Sequence, residues 1–99
     1  MTNYTRGRRF EYRVRDDLKA KGFPIVVLMP QSRGLFDVLA IGEAFPVPEI
    51  RLIQCKITPS LLGGKKRMEL SALAGKAGAS AYLAYRGPKP KCEIIYEEL

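Results

Sequence analysis

A carboxylate at Asp37, an amide at Gln54 and an ammonium at Lys56 are set into two largely apolar stretches, Leu35 to Ile41 and Ile50 to Ile57. Extended strands alternate their side chains, so Leu52, Gln54 and Lys56 share one face and Ile53, Cys55 and Ile57 the other. The second set is apolar and belongs in a core. Asp37 shares a face with Leu39 and Ile41, and an acid at the start of an apolar strand is unusual because an unpaired buried charge is unfavourable. If the two stretches pair as an antiparallel hairpin, the start of one lies beside the end of the other. A carboxylate, an amide oxygen and an ammonium then converge at one sheet end. Oxygen donors of this kind suit Mg²⁺ or Mn²⁺, which take a few protein oxygens and keep several waters. A neighbouring lysine can orient or deprotonate an attacking water, or stabilise charge developing at phosphorus. The bland reading is a buried Asp–Lys pair with Gln as its hydrogen-bond neighbour.

Glu11 is a third acid to weigh. It borders an apolar stripe among Arg8, Arg9, Arg13 and Arg15. From there it could reach the sheet end and complete a metal site. As a surface residue it would instead pair with Arg15, four positions on.

These residues must be positioned by regular elements. Phe10, Val14 and Leu18 recur every four residues, with Tyr4 and Gly7 continuing the stripe, which predicts a helix from about Tyr4 to Lys21. Gly22 closes it and Pro24 prevents its continuation. Strands are expected at Pro24–Met29, Leu35–Ile41 and Ile50–Ile57, a helix at Lys65–Gly78, and strands at Ala79–Tyr85 and Cys92–Tyr96. The order α-β-β-β-α-β-β predicts an α/β fold, a mixed sheet of about five strands flanked by helices. Ala72, Gly75 and Gly78 are small, so the second helix is expected to pack closely, inward or against a second copy. Tyr82 and Tyr85 read as strand packing.

The 99 residues suit one domain spanning 1–99. Seventeen Lys and Arg against ten Asp and Glu give a net charge of +7, which points to an anionic partner, nucleic acid before an acidic membrane surface. The charge is clustered: Arg6 to Lys21 holds seven basic residues, Lys65-Lys66-Arg67 is a second group, and Arg86, Lys89 and Lys91 a third. Taken singly, each cluster also reads as a solvated face. No apolar run is long enough to span a membrane, and Met1-Thr2-Asn3-Tyr4 lacks the apolar core of a signal peptide. Histidine is absent, which removes imidazole catalysis and most zinc and haem chemistry. Cys55 and Cys92 make neither a disulfide framework nor a zinc site. A cytoplasmic, intracellular protein is expected.

The ordered series Gly7-Arg8-Arg9-Phe10-Glu11, Ser32-Arg33-Gly34-Leu35-Phe36-Asp37 and Leu52-Ile53-Gln54-Cys55-Lys56 resembles the PD-(D/E)XK nuclease superfamily. Within it the match is to archaeal-type Holliday-junction resolvases, and Ala79 to Arg86 resembles a later strand of that family. The resemblance implies a restriction-endonuclease-like core in which Glu11, Asp37 and Gln54 hold Mg²⁺, or Mn²⁺ in its place. It implies Lys56 as the catalytic lysine and Ser32 as a functional loop serine. It also implies a homodimer that resolves four-way DNA junctions by phosphodiester hydrolysis. Arg8, Arg9, Arg33, Lys65, Lys66 and Arg67 are the phosphate contacts expected around such a site.

Gln54 departs from the pattern, since it stands where these resolvases have an acidic ligand. A neutral amide should weaken metal binding. Mrr-like restriction nucleases carry the same Gln-x-Lys, so a restriction or repair nuclease acting on duplex DNA is a second reading. A catalytically silent nucleic-acid-binding module is a third.

Overall fold

The computed structural model describes residues 3–29, 35–43, 46–58 and 62–99, with side chains from Gly7 onward. The apolar stripe of the N-terminal segment makes helix α1, Asn3–Ala20. Phe10, Val14 and Leu18 are its buried apolar residues. Gly22 ends it with φ near 100°, a conformation open to glycine. The Phe23 N–H then returns to the Leu18 carbonyl at 3.1 Å.

Three strands follow as a meander: β1 Ile25–Leu28, β2 Val38–Gly42 and β3 Glu49–Cys55. β1 pairs antiparallel with β2, and β2 antiparallel with β3, in the register Val38↔Ile53 and Leu39↔Leu52. Helix α2, Gly64–Ala77, carries the chain over to β4, Ser80–Arg86, which lies parallel to β3. β5, Ile94–Glu98, returns antiparallel at the far edge. The sheet order is β1-β2-β3-β4-β5, so the mixed α/β sheet expected from the sequence is the one found. β3 sits at its centre, where antiparallel pairing gives way to parallel.

Strand alternation gives the sheet two buried faces. Val38, Ala40, Ile53, Cys55 and Ala84 meet Phe10, Val14 and Leu18 of α1 on one side. Leu52 and Ala81 meet Leu70 and Ala74 of α2 on the other. Tyr96 ties β5 to α1 by donating its hydroxyl to Asp17 Oδ2 at 2.7 Å. Leu18 is fully buried, so Leu18→Ala is expected to lower the unfolding free energy by about 2–5 kcal/mol. Denaturant titration checks this: the midpoint should fall with the slope unchanged.

Two expectations need correction. The small residues of α2 do not pack inward: Ala72, Gly75 and Gly78 are exposed, and a Cβ added at Gly75 or Gly78 would touch nothing. The helix is seated by Leu70 and Ala74, which leaves Met68, 75% exposed, on an outer face it shares with Lys66, Glu69 and Ser71. The final strand begins at Ile94 and not at Cys92. The Cys92 N–H closes a turn on the Pro88 carbonyl at 3.1 Å, and its φ of 49° is incompatible with a strand.

Candidate active site at the end of β3

Asp37 lies one residue before β2, and hydrogen bonds hold it on both sides. Its N–H donates to the Ile53 carbonyl and its own carbonyl accepts from the Met29 N–H, each at 2.8 Å. Its carboxylate replaces part of the ladder: Oδ2 accepts the Cys55 N–H at 2.8 Å. The residue is 2% exposed. Its other oxygen, Oδ1, is buried with no hydrogen-bond partner. Leaving an ionisable oxygen in that state among the described residues is unfavourable by about 1–3 kcal/mol or more, which makes it a candidate ligand atom.

The antiparallel pairing expected from the sequence brings Asp37 to the strand end that carries Gln54, which is 9% exposed. Lys56 follows β3, its N–H donating to the Ala84 carbonyl at 3.0 Å. Glu11 reaches the same place from α1 and is 7% exposed. Burial, and then the negative charge of Asp37, push the Glu11 carboxyl above the usual carboxylate range, while Arg8 and Lys56 act in the opposite direction. The two acids and the lysine are thus within electrostatic reach of one another. Cys55, between Gln54 and Lys56, is core as alternation predicts. Burial foremost, with Asp37 and Glu11 nearby, raises its thiol well above the ordinary range.

Glu11 does not pair with Arg15, which reaches Asp16 at 2.9 Å. It pairs with Arg8, whose Nη1 lies 2.8 Å from Glu11 Oε1. Arg8 Nη1 also lies 3.4 Å from the Met29 carbonyl, so the arginine holds the carboxylate against the chain end that leads to Asp37. The i,i+3 spacing of Arg8 and Glu11 is the signal that would have found this pair. The Cys55 N–H has no comparable signal, since a main-chain donor leaves no trace in residue type.

Of the other expected contacts, Lys65 and Lys66 are exposed in the first turn of α2. Because α2 leads from β3 back to the parallel strand β4, that turn lies at the same sheet end as Gln54 and Lys56. Arg67 is engaged, donating to the Leu62 carbonyl at 3.1 Å and facing Glu97 at 3.3 Å. Arg9 is exposed. Ser32 and Arg33 lie outside the described residues.

The donor set is made of hard oxygens, and Asp37 Oδ1 supplies one that nothing among the described residues satisfies. By chemical type, the oxygens of Glu11, Asp37 and Gln54 are those a small divalent cation takes. Among the described residues no three His, Cys, Asp or Glu side chains group closely enough to hold a metal.

In structure the chain is similar to Hjc, a Holliday junction resolvase from the archaeal hyperthermophile Archaeoglobus fulgidus. The TM-score is 0.70 at 23% sequence identity, over 94% of this chain and 72% of that one. No family model matches the sequence, and no curated protein matches it. At that identity the likeness is one of fold, and the fold is restriction-endonuclease-like.

Proposed function

We propose, for a chain with the fold shared by PD-(D/E)XK nucleases, that it is a metal-dependent DNA endonuclease acting on four-way junctions as a homodimer inside the cell. The observation that carries this reading is the buried Asp37 Oδ1, unsatisfied among the described residues, on a carboxylate within electrostatic reach of Glu11 and at the strand end where Gln54 and Lys56 also lie. Glu11, Asp37 and Gln54 would hold Mg²⁺ or Mn²⁺, whose Lewis acidity assists water in attacking a phosphodiester. Lys56 would orient that water or stabilise the charge developing on the phosphate oxygens. Arg8 holds Glu11 in place, and the Cys55 N–H holds Asp37. Lys65 and Lys66 would take flanking phosphates. The structurally similar archaeal protein is a Holliday junction resolvase, which favours a branched substrate. A symmetric dimer would present two sites to two opposed strands. No helix among the described residues is long and apolar enough to cross a membrane.

Gln54 favours a second reading, a module that binds nucleic acid without cutting it, and its Gln-x-Lys pattern keeps an Mrr-like nuclease acting on duplex in view. One experiment separates the three. The protein and an Asp37→Ala variant are incubated with Mg²⁺ or Mn²⁺ and matched four-way junction, duplex and single-stranded DNA. Paired symmetric nicks in the junction alone, absent with the variant, are the expected result. Equal cutting of duplex would point to the restriction or repair nuclease. Tight binding without cutting in either metal would leave the silent module.

A further inference from the structure

The third basic cluster, Arg86, Lys89 and Lys91, has no part in the site described so far. β4 carries it to the same end of the sheet. The Lys56 N–H bonds the Ala84 carbonyl, and the Arg86 N–H bonds the Ile57 carbonyl at 3.2 Å. Arg86 therefore lies beside the residue that follows Lys56. The loop that starts at Gly87 joins β4 to β5, two strand spacings from β3, or about 10 Å across the sheet.

This loop is fixed in shape. The Gly87 N–H donates to the Glu93 carbonyl at 2.7 Å and the Cys92 N–H to the Pro88 carbonyl. From α1, Arg13 Nη2 donates to the Cys92 carbonyl at 2.8 Å, so the loop is fastened to the helix that also carries Glu11. A Cβ at position 87 would stand 2.9 Å from the Glu93 carbonyl oxygen and 3.0 Å from Ile95 Cδ1, which requires glycine there.

The fixed loop forms a concavity of about 270 Å³, lined by Pro88, Pro90, Ile95, Lys89, Lys91 and Glu93 among others. Three cations, Arg86, Lys89 and Lys91, stand against one carboxylate, Glu93, and all four are exposed. Arg8, Arg15, Lys21, Arg51 and Arg67 are each in an ion pair; among the described residues Arg86, Lys89 and Lys91 are in none. A preorganised loop carrying cations free of internal partners holds them ready for an external anion at little ordering cost.

We propose that loop 87–93 is a second nucleic-acid contact surface, at which Lys89 and Lys91 grip the phosphate backbone of the strand as it leaves the site. This rests on the nuclease reading above and extends it to a segment that reading does not use. The contact is electrostatic, so it sets affinity and salt dependence but not base preference.

The test compares wild type with the Lys89→Ala/Lys91→Ala double variant, reading binding of four-way-junction DNA by anisotropy in EDTA from 50 to 200 mM salt. Cleavage in Mg²⁺ at saturating DNA is measured in parallel. Loss of two phosphate contacts should reduce the slope of log K against log salt by about 1.8, with cleavage at saturation unchanged. Lys89→Arg/Lys91→Arg should restore the slope. A wild type that binds and cuts while the Ala variant keeps the full slope overturns the role of the loop alone. A variant that loses cleavage at saturation while keeping its affinity also overturns it, placing the lysines in the chemistry. Wild-type binding to phosphatidylserine vesicles but not to DNA, abolished in the variant, would reassign the loop to lipid headgroups. A wild type that binds no nucleic acid at all overturns the nuclease reading and this proposal with it.

Discussion

Asp37→Asn is expected to raise the melting temperature of the metal-free protein and to abolish its cleavage of DNA. The two effects share one cause. The carboxylate uses Oδ2 to accept the Cys55 N–H, and an asparagine oxygen keeps that bond. Its Oδ1 is buried without a partner among the described residues, and the carboxylate is within electrostatic reach of Glu11. An amide in place of that oxygen carries no charge to desolvate, and it removes a like charge within electrostatic reach of Glu11. The gain should be about 1 kcal/mol, or about 4–8 °C in a domain of this size. Cleavage should fall at least about 100-fold, because a ligand is lost from the proposed cation site.

The pH dependence follows from Glu11. Its carboxyl is held above the usual range by burial and then by Asp37, so the folded state binds its proton more tightly than the unfolded chain does. That penalty on the folded state is absent well below pH 4 and grows as pH rises through the raised pKa. Asn at position 37 relieves part of it. The difference in melting temperature between variant and wild type should therefore widen from pH 4 toward pH 7. A variant that melts lower than wild type at pH 7 would mean that Oδ1 has a partner the native fold depends on.

Gln54→Glu should act in the opposite sense on the two quantities. Gln54 is buried at the strand end shared with Asp37 and Glu11. A third carboxylate there adds a desolvated charge beside two others, and the metal-free protein should lose about 1–3 kcal/mol. With Mn²⁺ or Mg²⁺ the added charge should tighten binding about tenfold or more, equivalent to about 1.4 kcal/mol. Thermal melts across a Mn²⁺ titration check both arms: the variant should start lower than wild type and gain more as metal is added. Activity should be kept or raised at limiting metal. Unchanged metal stabilisation together with lost activity would mean that the Gln54 amide serves as a hydrogen-bond donor and not as a ligand.

All seven elements and their order were legible from apolar periodicity and from turn residues, because α1 and the strands are patterned against a single sheet. Gly22 with Pro24 marked the end of α1 through backbone conformation alone. Alternation along β3 sorted Cys55 into the core and Gln54 onto the other face, and the hairpin argument brought Asp37 to them. Tertiary contacts decided what was missed. Arg8 satisfies Glu11 from three residues away, a choice set by where the Met29 carbonyl lies. α2 is seated by Leu70 and Ala74, so its row of small residues turns to solvent, and composition does not say which side of a weakly amphipathic helix meets the sheet. The start of β5 was hidden by the left-handed turn at Cys92, a residue whose type gives no hint of positive φ.

The bond from the Cys55 N–H to Asp37 bears on how this protein can vary through evolution. Position 55 contributes a main-chain hydrogen to the site and only a packing volume to the core. Alanine, valine or threonine could replace the thiol and leave Asp37 aimed as it is, with changes in packing that neighbouring side chains can absorb. Proline could not, because it has no hydrogen to give. Among relatives, the middle of the Gln-x-Lys triplet should therefore look freely variable in residue type while excluding one imino acid, a constraint visible only as the residue that never occurs.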